Sequence, residues 1–173
     1  MKTKHRTSLK SLNSFGVECF SSNLNIINNE KEITDFIISN NDLESIILGG
    51  GSNILFKNDI NRPILKIEIK GIDIINETNE KVLVSVGAGE VWDDVVNWSL
   101  TNNYGGLENL SLIPGNVGSA PIQNIGAYGV ELKDVFESCR TISTETGLLK
   151  ICLLYTSDAA DDLLCVDLGG RRI

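Results

Sequence analysis

The chain has a single histidine, His5. That scarcity excludes histidine-based nucleophile triads, histidine-ligated metals and histidine-linked covalent cofactors together. The four cysteines, at 19, 139, 152 and 165, lack the spacing of a zinc site or of a small secreted framework. Reduced thiols and no metal are therefore expected. There is no basic stripe, and a net charge of −8 argues against a nucleic-acid surface and against an anionic membrane surface. The basic opening MKTKHRTSLKSLNSF is followed by no apolar h-region, so no signal peptide is read and the cytoplasm is the expected compartment. The most telling absence is local. In a chain with 23 acidic residues, the run from Asn109 to Val130 has no charged side chain at all.

Within that run, Ser111 to Gly129 reads SLIPGNVGSAPIQNIGAYG. Glycines at 115, 118, 126 and 129 alternate with Pro114, Pro121, Asn116, Ser119, Gln123 and Asn124. Prolines and glycines cost about 1 to 3 kcal/mol each in a helix interior, which excludes a helix. The many polar and helix-breaking residues exclude a membrane span. The expectation is an ordered irregular segment whose backbone lies open to a partner. Its glycines allow close approach, and unpaired N–H groups bind anionic or carbonyl oxygens.

The rest reads as a scaffold. Residues 1–11 are expected to be a flexible N-terminus, with a first strand at Leu24 to Ile27. Ile33, Phe36 and Ile37 have i, i+3, i+4 spacing and predict a helix from Glu30 to Ser39, ended by Asn40-Asn41-Asp42. Ser45 to Leu48 is a short β-branched strand. Gly49-Gly50-Gly51-Ser52-Asn53 follows, and Ile54-Leu55-Phe56 after it reads as strand. A dinucleotide fingerprint requires a third glycine or alanine opening a helix, and a P-loop requires Gly-Lys-Ser/Thr; neither is present. The element is therefore either an anion nest of backbone amides or a tight β-turn with spare glycines. Pro63 to Ile69 and Val82 to Val86 read as strands, the second ending in Gly87-Ala88-Gly89. Glu90 to Thr101 reads as a helix whose tryptophans, Trp92 and Trp98, pack in the core. Lys133 to Ser143 and Leu148 to Lys150 resemble a hairpin around Thr144 to Gly147. A composition break near Gly71 divides the chain into lobes 12–70 and 71–150.

Two uncharged, amide-rich loops suggest one extended ligand held from both sides. A bound pyrophosphate would rest on backbone N–H groups, Ser52, Asn53 and Ser119, while Gln123 and Asn124 suit the edge of a flavin or another heterocycle. Tyr128 either stacks or hydrogen-bonds there or is an ordinary packed aromatic.

Ile47 to Phe56, VGAGEVW (Val86 to Trp92), GLENLSLIPGNVGSAPIQNIGAYGVEL (Gly106 to Leu132) and NSFG near the start together resemble, in this order and spacing, the UDP-N-acetylenolpyruvoylglucosamine reductases. The likeness covers about residues 12 to 150. It implies an α+β fold of the vanillyl-alcohol-oxidase (PCMH) FAD-binding type, with two lobes and the second truncated. It implies non-covalent FAD, with the pyrophosphate loop on Gly49, Gly51, Ser52, Asn53, Ile54 and Leu55. The isoalloxazine-side loop falls on Ile113, Pro114, Gly115, Gly118, Ser119, Gln123, Asn124, Ile125, Gly126, Ala127 and Tyr128. In this family hydride passes from NADPH to FAD and on to the enolpyruvyl ether of a UDP-sugar, completing UDP-N-acetylmuramate for peptidoglycan. A serine protonates the neighbouring carbon, and an arginine and a glutamate steady the enol-like intermediate. The positions of those three residues lie beyond the matched region, so no catalytic residue is assigned. Arg140, Arg171 and Arg172 stand in the wrong context for the role.

Residues 151–173 depart from the family. CLLYTSDAAD and VDLGGRRI resemble translations of the two ends of a transposase-type sequencing adapter, in the right order. The alternative is a genuine helix capped by Ser157 with Leu163 and Leu164 on its apolar face. On the adapter reading, the second lobe's sheet is cut and genomic reads past the Lys150 codon continue into a Gly-Tyr-Arg segment. The chain is then the N-terminal part of the reductase and inactive by itself; the rivals are a non-catalytic FAD-binding module and a different oxidoreductase of the same superfamily.

Overall fold

The computed structural model describes residues 1–40 and 44–152, together with the backbone of 166–172. The fold is α+β. A four-stranded sheet has the order β1-β2-β4-β3, with β1 at Lys2–Ser8, β2 at Phe20–Ile27, β3 at Ile46–Leu48 and β4 at Ile64–Ile67. β2, β4 and β3 run parallel, and β1 pairs antiparallel with β2. Helix α1 spans Glu30–Ser39 and packs Ile33, Phe36 and Ile37 on Ile27, Leu65 and Ile67 of the sheet. Burying these three side chains contributes about 1.5 to 3 kcal/mol each. Its first turn is closed reciprocally. Asn29 Oδ1 accepts the Glu32 amide at 3.0 Å, and Glu32 Oε2 accepts the Asn28 amide at 2.8 Å. Asn40 ends the helix by donating its side-chain amide to the Phe36 carbonyl at 2.8 Å.

The second sheet, order β10-β9-β11-β6-β5, is antiparallel throughout. Its strands are β5 at Ile72–Glu77, β6 at Val82–Val86, β9 at Phe136–Ile142, β10 at Leu149–Cys152 and β11 at Val166–Arg172. Helix α2, Trp92–Thr101, lays Trp92, Val95 and Val96 on Val82, Val84 and Val86. Between α2 and β9 the uncharged run forms 3-10 turns at Glu108–Leu110 and Val117–Ser119. A two-residue-per-strand hairpin follows, β7 at Gly126–Ala127 and β8 at Val130–Glu131. Among the described residues, no helix is long and apolar enough to cross a membrane.

Three expectations are corrected. The N-terminal segment expected to be flexible, 1–11, holds β1, because pairing along β2 needs only backbone groups and leaves its basic side chains in water. Ile54 to Phe56 form no strand: Ile54 and Phe56 pack with Leu24, Leu48 and Ile64 while Leu55 is exposed, and no neighbouring strand offers a ladder. Helix α2 begins at Trp92 rather than Glu90, because Val91 is extended and bridges Asn116, with the Glu90 carbonyl accepting the Val117 amide. Among the described residues the second sheet also takes in a strand beyond β10. The backbone of 166–172, within the segment read as adapter-derived, lies between β9 and β6. Ser157, Leu163 and Leu164, the basis of the alternative helix, lie outside the described residues.

Candidate functional site

The two Gly-rich loops meet. Gly49 leaves the carboxyl end of β3, where parallel strands of an open sheet leave a crevice. At Gly51 φ is +70°, and a methyl group built there would lie 2.0 Å from the Leu12 carbonyl oxygen. Only glycine fits. The Asn13 side chain fixes that approach by donating to the Leu9 and Val17 carbonyls at 2.8 and 3.1 Å and accepting the Val17 amide at 3.0 Å. The Ser14 amide then donates to the Gly51 carbonyl at 3.0 Å. The NSFG segment is thus the brace of the first loop.

Across from it stands Gly115, with φ +123°. The position of its absent Cβ is 3.2 Å from Ser52 Oγ and 3.3 Å from Ser119 Oγ. The two hydroxyls therefore flank one bare backbone position, one from each loop. Asn116, only 6% exposed, ties the loops to a third. Its Nδ2 donates to the Gly89 carbonyl at 3.0 Å, while its Oδ1 faces Gly50.

The loops differ in how they use their amides. Val117 N–H donates to Glu90 O, Gly118 N–H to Ala88 O, and Ser119 and Ala120 N–H to Asn116 O and Val117 O, at 2.9 to 3.1 Å. The expectation of an open backbone throughout 111–129 thus fails at this turn, whose amides and whose side chains Val117 and Ala120 serve the core. In the first loop, Gly50, Gly51, Ser52 and Asn53 N–H donate to no protein group among the described residues. Of these, Gly50 and Asn53 are exposed. The open donors lie on 50–53 and the paired ones on 117–120.

Farther along, Gln123 and Asn124 are exposed, Ile125 is core, and Ile113 and Ala127 are half-buried against that core. Tyr128 and Gly129 are the two residues of the β7–β8 turn, with φ +53° and +80°. Positive φ at both positions is the type I′ pattern, usually filled by Asn-Gly. A tyrosine there is strained, and at 90% exposure it is no packed aromatic. Beside the turn, Lys133 lies 2.6 Å from Glu131 and holds the Glu131 carboxyl below the ordinary range, with help from the Asn124 side chain. Arg140 pairs with Glu30 at the start of α1 and takes no place in this site.

Sequence reasoning missed Asn13, Asn116 and Lys66. Lys66 reaches the Gly49 carbonyl from beneath, at 2.7 Å. Asn13 stood within a recognised motif; for Lys66 the signal was a lysine inside an otherwise apolar strand.

The FAD binding domain family matches residues 28–152. The chain belongs to that family. Among similar proteins, the UDP-N-acetylenolpyruvoylglucosamine reductase of Flavobacterium johnsoniae is 46% identical over 146 residues, covering 84% of this chain and 43% of the relative. The reductases of the same name from Amoebophilus asiaticus and Pseudomonas aeruginosa are each 41% identical, covering 87% of this chain and 45% of theirs. The chain therefore spans less than half the length of these curated relatives. A solved structure of UDP-N-acetylenolpyruvylglucosamine reductase from Thermus caldophilus has the same fold, with a TM-score of 0.72 at 20% identity over 99% of this chain and 59% of that one. The site's donors fit an FAD binding domain. Open amides at 50–53, the Ser52 hydroxyl and no carboxylate within either loop suit a diphosphate, which needs donors and close backbone approach; the Ser119 hydroxyl is held by the Asn116 carbonyl at 2.8 Å.

Proposed function

We propose that this chain carries the FAD-holding part of an NADPH-dependent reductase that converts UDP-N-acetylglucosamine enolpyruvate to UDP-N-acetylmuramate for peptidoglycan in the cytoplasm. The observation that carries the reading is the meeting of Ser52 and Ser119 across Gly115, beside four open amides. When bound, FAD supplies a two-electron carrier between NADPH and the enolpyruvyl carbon. The chain's own residues hold and orient. Amides of Gly50 to Asn53 donate to the diphosphate and Ser52 adds a hydroxyl donor, while the Ser119 hydroxyl donates to the Asn116 carbonyl at 2.8 Å and braces the facing turn. Gln123 and Asn124 present donors and acceptors to the heterocycle edge, and Tyr128 stands exposed at the hairpin tip as a cover.

The groups that would act on the UDP-sugar are not among these. The arginine role is not filled by Arg140, whose guanidinium is held by Glu30. The chain alone therefore binds cofactor without turning over substrate. With the purified chain, FAD and the enolpyruvyl UDP-sugar, NADPH absorbance is expected to fall no faster than without the sugar. Sugar-dependent NADPH oxidation would contradict this division of labour.

A further inference from the structure

Neither Gly-rich loop carries a cation, yet one lies behind the first. Lys66 is the only charged member of β4, among buried Ile64, Leu65 and Ile67, and its side chain is 9% exposed. Lysine is rarely so buried without a reason. Its Nζ donates to the Gly49 carbonyl at 2.7 Å and lies 2.9 Å from Glu68 Oε1. Glu68 is two residues on, on the same face of the extended chain, and its side chain is 34% exposed. Water therefore screens the acid more than the buried ammonium.

A trans peptide is planar, with its C=O and the next N–H pointing in opposite directions. Drawing the Gly49 carbonyl down onto Lys66 turns the Gly50 N–H up, away from the sheet, and Gly50 is exposed with that donor open. A positive charge on the carbonyl also polarises the peptide, so its N–H becomes a stronger donor. Lys70 gives an internal comparison. It donates to the Gly89 carbonyl, but the Glu90 N–H of that peptide is already bonded to the Gly87 carbonyl at 3.0 Å. The same device serves structure there and leaves a free donor at Gly50.

We propose that Lys66 is a positioning residue for the anionic part of the ligand, aiming and polarising the Gly50 amide through one peptide bond. This rests on the reading that the FAD diphosphate lies at 50–53. The test is FAD affinity, read by flavin fluorescence in the full chain and in Lys66→Met, Lys66→Arg, Glu68→Gln and Lys70→Met, with circular dichroism checking the fold. Lys66→Met is expected to bind FAD about tenfold more weakly or worse, as loss of a charge-assisted contact implies, and Lys66→Arg within about threefold of the unaltered chain. Glu68→Gln keeps an acceptor but removes the offsetting charge, and is expected to bind about threefold more tightly. Lys70→Met is expected to lower the melting temperature without changing the affinity of the folded fraction. Unchanged binding in Lys66→Met, or weaker binding in Glu68→Gln, overturns the proposal, because a lysine that merely braces the turn gains nothing from a lost acid. Should Lys66→Met not fold, Glu68→Gln still decides by its sign. If the unaltered chain binds no FAD, the underlying reading fails and this inference falls with it; the variants fail it alone.

Discussion

At the scale of single residues, the site is held by side chains that bind carbonyls and amides of loops. Asp93, in the first turn of α2, accepts the Leu112 amide at 2.7 Å and the Ser111 hydroxyl at 2.9 Å. Those bonds pin Leu112 at φ +62°, at the entrance to the uncharged run. The Leu112 amide, then Ser111, hold the Asp93 carboxyl below the ordinary range. A carboxyl depressed in the folded state stabilises the fold above its unfolded value, and that contribution is lost as pH falls through the folded one. Asp93→Asn is therefore expected to melt lower than the unaltered chain at neutral pH, with the difference closing in acid. A gap independent of pH, measured by melting curves across the acid range, would rule out this role. Tyr128 makes the opposite case. Replacing it with glycine removes backbone strain of about 1 kcal/mol and should raise the melting temperature slightly while weakening FAD binding. A rise in both would show that the tyrosine has no part in the site.

At the scale of elements, what could be read depended on how local the cause was. Helix α1 matches its expected span, Glu30–Ser39, because Asn29, Glu32 and the Ile33, Phe36, Ile37 stripe all act within a few residues. β1 was not legible, since it pairs with β2 through backbone and a few polar side-chain contacts to Asn23 and Asn25, with no apolar pattern to announce it. Likewise, nothing in SLIPGNVGSAPIQNIGAYG announces that the amides of Val117 and Gly118 are taken by Glu90 and Ala88 carbonyls from the preceding VGAGE segment. The glycines read as exposing backbone to a ligand also let chain pack on chain. Trp92 shows how firmly this run is built in. It is 1% exposed and its Nε1 donates to the Leu110 carbonyl at 2.7 Å. Trp92→Phe should cost about 1 to 3 kcal/mol by leaving that carbonyl unpaired in the core, read as a lower urea midpoint with an unchanged slope. A midpoint within error of the unaltered chain would show the bond to be dispensable.

At the scale of the molecule, two sheets and two helices exist to bring three Gly-containing turns together: 49–53, 87–89 and 115–119. Ala88, Ile142 and α1 share one apolar cluster, so the carboxyl end of β9 in the second sheet packs on the first sheet's helix. The Glu30–Arg140 pair spans the same seam. That the loops face each other was legible from their matching chemistry; that one gives its amides to a ligand and the other to the fold was not. The central claim is that this shared cleft holds FAD, and a titration of the purified 173-residue chain with FAD, followed by flavin fluorescence, tests it most directly. Saturable one-site binding is expected, weakened by Ser52→Ala in a chain that still folds. Absence of saturable binding, or binding indifferent to Ser52→Ala and Gly126→Val alike, would contradict it.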